Sequence, residues 1–217
     1  MAEATGTRDL PDVTLLWLEI TQRCQLECMH CYASSGPTRT HGTMTNEMWI
    51  RVIDQAAAAG VRSLKFIGGE PTLHPWLPEL VTHTVSRGLR VSIYSNLLRI
   101  PAGVWQVLTL PGVELETSYY SDGAEQHDAI TGRPGSYRRT MSTIGEARDR
   151  GIPVRAGMVV INPDQQVERT RERLRLLGIH LTCIDRVRRI GRAAGTAIGE
   201  RPGELCGRCA RDRKSVV

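Results

Sequence analysis

No stretch of this 217-residue chain is apolar for long enough to cross a membrane as a helix. Its opening, Met1 to Pro11, is polar and acidic and lacks the basic start and apolar middle of an export signal. The expected location is therefore the cytoplasm. Lysine is almost missing: of 28 Lys and Arg residues only Lys65 and Lys214 are lysine, a skew that reads as codon bias rather than chemistry. The net charge of +5 is unevenly spread, with twelve arginines and five acidic residues between Arg169 and Arg213. A solvated helix face bearing Arg169, Arg171, Arg173 and Arg175 accounts for much of that excess. A surface for an acidic peptide or a phosphate-bearing substrate is the alternative. Without an export signal, six cysteines point to metal or redox use and not to disulfides.

A fourth cysteine is also lacking where a closed zinc site would need one. Cys24, Cys28 and Cys31 stand at i, i+4 and i+7, directly after the apolar run Leu15, Leu16, Trp17, Leu18 and Ile20. Structural zinc takes four protein ligands. Three thiolates suit a [4Fe-4S] cluster whose fourth iron stays open for a ligand that is not protein. A buried helical stripe of cysteines, or a zinc site completed by His30 or His41, is a competing reading of the same triplet.

Strand-like and helical runs alternate along most of the chain. Strands are expected at Val13–Ile20, Ser63–Ile67, Arg90–Tyr94, Val113–Ser118, Val154–Ile161 and His180–Ile184. Helices are expected at Asn46–Ala59, Trp76–Arg87, Gly103–Leu108, Tyr137–Arg150 and Asp164–Leu177. Thr45 reads as a helix cap, and Gly60, Gly88, Gly151 and Gly178 as helix terminators. A strand–helix unit roughly every 30 residues implies parallel β/α units. Six of them make an α/β fold of the partial, three-quarter TIM-barrel kind. Active sites in such barrels form at the C-terminal ends of the strands, where the Cys triplet lies.

The Cys triplet resembles the signature of the radical S-adenosylmethionine (SAM) enzymes, with His30 in the place usually held by Tyr or Phe before the last cysteine. Gly68-Gly69-Glu70-Pro71, at the end of the next strand, resembles the family segment that holds the amino group of SAM. Glycines would let backbone approach a ligand closely, and Pro71 would bias Glu70 toward an extended shape that aims it at an ammonium. The resemblance implies a radical SAM core at 13–192, preceded by a lead-in at 1–12 and followed by a tail at 193–217. It implies a [4Fe-4S] cluster on Cys24, Cys28 and Cys31, with SAM held by His30, Gly68, Gly69, Glu70, Ser95, Asn96 and Ser118. Asn162 is a weaker candidate, and Gly191-Arg192-Ala193 resembles a segment whose backbone runs beside the adenine. Ser and Asn are also ordinary turn residues at strand ends.

Two features resemble the peptide-modifying branch. One is the loop Tyr119–Ser136, where Tyr119 and Tyr120 precede Ser121-Asp122-Gly123. These tyrosines either shape a substrate pocket, donate a hydrogen atom, or simply pack. The other is Glu204-Leu205-Cys206-Gly207-Arg208-Cys209, similar to the opening of a SPASM extension. Cys206 and Cys209 are too few for an auxiliary cluster unless other ligands complete it. Cys183, inside a strand pattern, is expected to be a buried structural thiol. An incomplete extension is therefore expected.

The function implied by the resemblance is reductive cleavage of SAM to a 5′-deoxyadenosyl radical, which takes a hydrogen atom from a peptide or protein side chain. A one-electron donor of flavodoxin or ferredoxin type is implied; a membrane or nucleic-acid partner is not. The alternatives are a non-catalytic iron-sulfur and SAM-binding protein, or an enzyme of the same superfamily acting on RNA or a cofactor precursor.

Overall fold

The computed structural model describes residues 13–199. The lead-in 1–12 and most of the tail, Cys206 and Cys209 included, lie outside the described residues. Six strands run β1 (Leu15–Glu19), β2 (Ser63–Ile67), β3 (Arg90–Tyr94), β4 (Val113–Ser118), β5 (Val154–Val160) and β6 (His180–Arg186). All neighbours are parallel, and the strands lie side by side in chain order in one sheet. Helices α1 (Asn46–Ala58), α2 (Leu77–Ser86), α3 (Ala102–Leu108), α4 (Ala124–Thr131), α5 (Ser136–Asp149) and α6 (Val167–Leu176) fill the crossovers. Among the described residues β1 and β6 do not pair, so the sheet is open. It still curves: beyond β6 the Arg192 N–H donates to the carbonyl of Cys31, just past β1 (3.0 Å). This is the expected three-quarter barrel.

The chemistry of the chain places these elements. One pleat face of the sheet carries Leu18, Leu64, Phe66, Ile93 and Leu115, all buried against helix residues such as Ile53, Leu77, Leu80, Leu108 and Ile144. Thr45 caps α1 as expected, its side chain accepting from the Met48 N–H. The four glycines expected to close helices all adopt left-handed φ angles, between +67° and +82°. Strands β2, β3 and β4 have the bounds read from the sequence; β1 and β5 are trimmed, and β6 runs two residues further. Helix α4 was not expected. Its eight residues AEQHDAIT contain little apolar periodicity, and it buries only His127, Ile130 and Thr131. Among the described residues no helix is long and apolar enough to cross a membrane.

The other pleat face lines the barrel, and it is charged. Trp17, Lys65, Ser92 and Glu114 stand in register across β1 to β4. Lys65, the one lysine among the described residues, donates to Glu116 on β4 and sits 4.9 Å from the Trp17 ring centroid and 5.8 Å from that of Tyr94. Both charged side chains are about nine-tenths buried, at 11% and 8% exposed. Removing one partner of such a pair strands the other charge. Lys65→Met should therefore cost about 3–5 kcal/mol, and adding Glu116→Leu should restore most of it. Urea unfolding of both variants measures this; equal losses in the single and double variants would contradict it.

Candidate functional site

The loop bearing the three cysteines is stapled at its base by backbone bonds. Gln22 N–H donates to Thr40, Cys24 N–H to Gly36, and Gly36 N–H back to Gln22, at 3.1 to 3.3 Å. The segment after β2 docks onto the same base, with Gly69 N–H donating to the Thr21 carbonyl (2.7 Å) and Glu70 N–H to that of Arg23 (2.8 Å). The two motifs, some 40 residues apart in sequence, thus form one structural unit at the C-terminal ends of β1 and β2.

This contact changes the reason for the glycines. A Cβ built on Gly69 would lie 2.4 Å from the Arg23 carbonyl oxygen, and one on Gly68, at φ +140°, 2.2 Å from that of Thr21. Both glycines closely approach the backbone of the chain itself. Glu70 is held just as closely by the chain. Its carboxylate is fully buried and accepts from the Thr72 N–H (3.1 Å), the Thr72 hydroxyl (2.6 Å) and the Asn96 N–H (2.8 Å). Those bonds fix its carboxylate between Thr72 and the start of the strand-three loop, where it organises the mouth. Burial pushes its pKa up, against these hydrogen bonds.

The thiols are free, and burial dominates their chemistry. Cys24 is pushed up to about 11 and Cys28 to about 12, with the neighbouring thiols adding to the rise. The Leu26 N–H (3.4 Å) and the Asn96 amide nitrogen (3.7 Å) both donate toward the Cys24 sulfur. Among the described residues no three His, Cys, Asp or Glu side chains converge to cage a single metal ion. A four-iron cluster separates its thiolates by its own width and requires no such convergence. Three polar atoms of this loop, Gln25 Oε1, His30 Nδ1 and Ser35 Oγ, are buried without a hydrogen-bond partner among the described residues. Buried orphans of this kind are expected where a ligand belongs. The donor set and the orphans together fit a cluster with a polar ligand beside it.

His30 packs edge-on against Tyr120 with ring centroids 5.0 Å apart, and its Nε2 is 3.1 Å from the Tyr120 hydroxyl. Burial, aided by the Arg192 charge, lowers its pKa to about 4, so the ring is neutral at neutral pH. Of the expected strand-end contacts, Asn96 is the hub. Its Oδ1 accepts from Gln25 (3.3 Å) and Leu98 N–H (3.0 Å), while its carbonyl accepts from the Thr140 hydroxyl (3.0 Å). Ser95 is buried and accepts from the N–H of Leu97, a non-glycine residue at φ +57°. Backbone strain of that kind is typical of binding loops. The Ser118 hydroxyl is engaged by Tyr94 (3.0 Å) inside the barrel. Asn162 N–H is bound to Gln165, in a turn below α6.

The side-chain roles of two arginines were not legible in the sequence, although Gly191-Arg192-Ala193 was singled out there for its backbone. Arg133, between α4 and α5, donates to the Gln25 carbonyl (3.0 Å). Arg192, beyond β6, donates through Nε to the Cys28 carbonyl (2.8 Å) and through a terminal nitrogen to that of Ser35 (2.7 Å). The Gly-Arg-Ala and Gly-Arg-Pro-Gly turns were their only local signals. Cys183 is a correction in the opposite sense. It is exposed, because β6 is an edge strand with nearly all of its residues open, not a covered one.

The sequence model of the radical SAM superfamily matches residues 18–174. The antilisterial bacteriocin subtilosin biosynthesis protein AlbA of Bacillus subtilis is 29% identical over 80% of this chain and 39% of its own length. The AdoMet-dependent heme synthase of Methanosarcina barkeri is 30% identical over 76% of this chain and 48% of its own. This chain thus spans less than half of either relative. The fold matches that of Streptococcus suis SuiB bound to its precursor peptide SuiA, with a TM-score of 0.73 at 17% identity, over 82% of this chain and 40% of that one.

Proposed function

This chain belongs to the radical SAM superfamily, and on that premise we propose that Cys24, Cys28 and Cys31 hold a [4Fe-4S] cluster and that the surrounding mouth binds SAM. When bound there, the cluster would supply the one-electron reduction that reductive cleavage of SAM to a 5′-deoxyadenosyl radical requires. The chain's own residues bind, orient and exclude water. The core on this reading is 13–192, and Cys206 and Cys209 belong to an appended segment. A one-electron donor of flavodoxin or ferredoxin type would reduce the cluster.

The observation that carries the reading is the joint unit of the Cys loop and Gly68–Glu70, with Gln25 Oε1, beside Asn96, and His30 Nδ1, on the side of Tyr120, buried and unpartnered in the Cys loop. His30, neutral through burial beside Arg192 and aimed by Tyr120, would present a flat ring to the nucleobase. Asn96, fixed by Glu70 and Thr140, would present its side chain to cluster and cofactor. Gly68 and Gly69 act through the position they give Thr21–Arg23, and Ser95 through Leu97. Ser118 would face the barrel interior, where a substrate must reach.

We assign a peptide or protein side chain as the substrate class, supported by the likeness to AlbA and to the SuiB–SuiA fold. The likeness to a heme synthase supports a second reading, a tetrapyrrole-sized cofactor precursor. Reconstituted protein given SAM and dithionite under anaerobic conditions should form 5′-deoxyadenosine, detected chromatographically, and form none without reductant. A protein that held four irons and bound SAM yet formed none would be a binding protein, and the enzymatic reading would fail.

A further inference from the structure

An open barrel has an unclosed mouth, and the cysteine loop hangs from its free edge. In this chain the loop is gripped from two remote places by arginine side chains, at sequence separations of 108 for Arg133 and 164 for Arg192. We propose that Arg192 is a positioning residue that locks the cluster loop across the open seam between β6 and β1 and supplies a fixed positive charge beside the cluster, with Arg133 as a second, purely mechanical grip.

Geometry carries this. Arg192 makes three contacts with the loop: its N–H to the Cys31 carbonyl (3.0 Å) and its guanidinium to the carbonyls of Cys28 (2.8 Å) and Ser35 (2.7 Å). The two guanidinium bonds span seven residues of loop, a reach that a rigid fork of donors permits and a single ammonium does not. The preceding residue is seated as tightly. At Gly191, with φ +57°, an added Cβ would fall 2.2 Å from the Tyr32 carbonyl oxygen and 2.3 Å from that of Cys31. The segment after β6 therefore presses its backbone onto the ligand loop and then ties it with a charged side chain. Three thiolates on a cluster make a net negative group, so a cation held at the Cys28 carbonyl favours taking up one more electron. Arg133 reaches the loop at Gln25, which is bonded to the Asn96 hub, and sits at the opposite end from Cys31.

The proposal rests on the three cysteines holding a cluster. It is tested on the full reconstituted chain by two readouts that need no turnover: the rate of iron loss to EDTA under anaerobic conditions, and the midpoint potential of the cluster. Arg192→Met should lose iron at least about tenfold faster, the effect of one charge-assisted hydrogen bond, and its potential should move to more negative values. Arg192→Lys should return the potential toward that of the parent protein while still losing iron faster. Arg133→Met should speed iron loss and leave the potential unmoved. Parental loss rate and potential in Arg192→Met would overturn the proposal, and faster loss with an unmoved potential would overturn the electrostatic role. If Arg192→Met does not fold, Arg192→Lys and Arg133→Met decide, since parental loss rates in both would overturn the grip. A parent protein that takes up no cluster is a different failure, that of the cysteine assignment itself.

Discussion

Replacing Cys24, Cys28 and Cys31 together by alanine should take the iron content of anaerobically reconstituted protein from about four atoms per chain to a trace. Among the described residues no three His, Cys, Asp or Glu side chains converge to cage a metal ion that could stand in for the cluster. The size of the effect follows from the state of the thiols. Without metal, burial holds Cys24 near 11 and Cys28 near 12, so both are protonated at neutral pH. Cluster binding must drive those protons off, and apparent affinity therefore rises with pH. Reconstitution should be more complete at about pH 8.5 than at about pH 7, with the brown absorbance and the iron assay moving together. Undiminished iron in the triple variant would mean that the metal lies elsewhere and would remove the basis of the functional reading.

Gly69→Ala is the second large effect. Its Cβ would meet the Arg23 carbonyl oxygen at 2.4 Å and that of Gln22 at 2.8 Å, both backbone atoms with no rotamer to change. The Gly69 and Glu70 bonds to Thr21 and Arg23 must then lengthen, and Cys24 moves with them. Overpacking of this kind costs about 1–3 kcal/mol, so thermal unfolding should shift down and iron content should fall. A glycine reserved only for ligand approach would instead lose SAM affinity at full iron and full stability, the outcome implied by the motif alone. Gly145→Ala is the control. That glycine lies in α5 at negative φ with nothing within 4 Å of its built Cβ, and the change should stabilise by about 0.5–1 kcal/mol. Unchanged iron and melting in Gly69→Ala would sink the packing explanation.

The legibility of the site divided along physical lines. The cysteine triplet and Gly68–Glu70 were readable because their spacing is local. Strands β2, β3 and β4 were readable to the residue because each is a short stretch alternating apolar with polar residues, shortly after a turn glycine at Gly60, Gly88 or Gly112. Helix α4 was not, since its short polar sequence becomes helical only by packing Ile130 and His127 beneath the loops. The burial of Cys183 was misjudged for a related reason: a strand pattern does not reveal whether the strand lies at the centre or the edge of a sheet.

By itself the sequence determined the β/α alternation, the cysteine triplet and its placement at a strand end, because periodicity, helix caps and motif spacing act within a few residues. Only the tertiary structure decided what the motif residues touch. Glycine permits a close approach without naming the partner, and here the partner proved to be the backbone of Thr21–Arg23. A glutamate in a turn declares a charge and not its direction, and Glu70 turned inward to Thr72 and Asn96. Arg192 is one arginine among many in the sequence. It became a grip on the cysteine loop because a curved, unclosed sheet brings its last strand back beside its first.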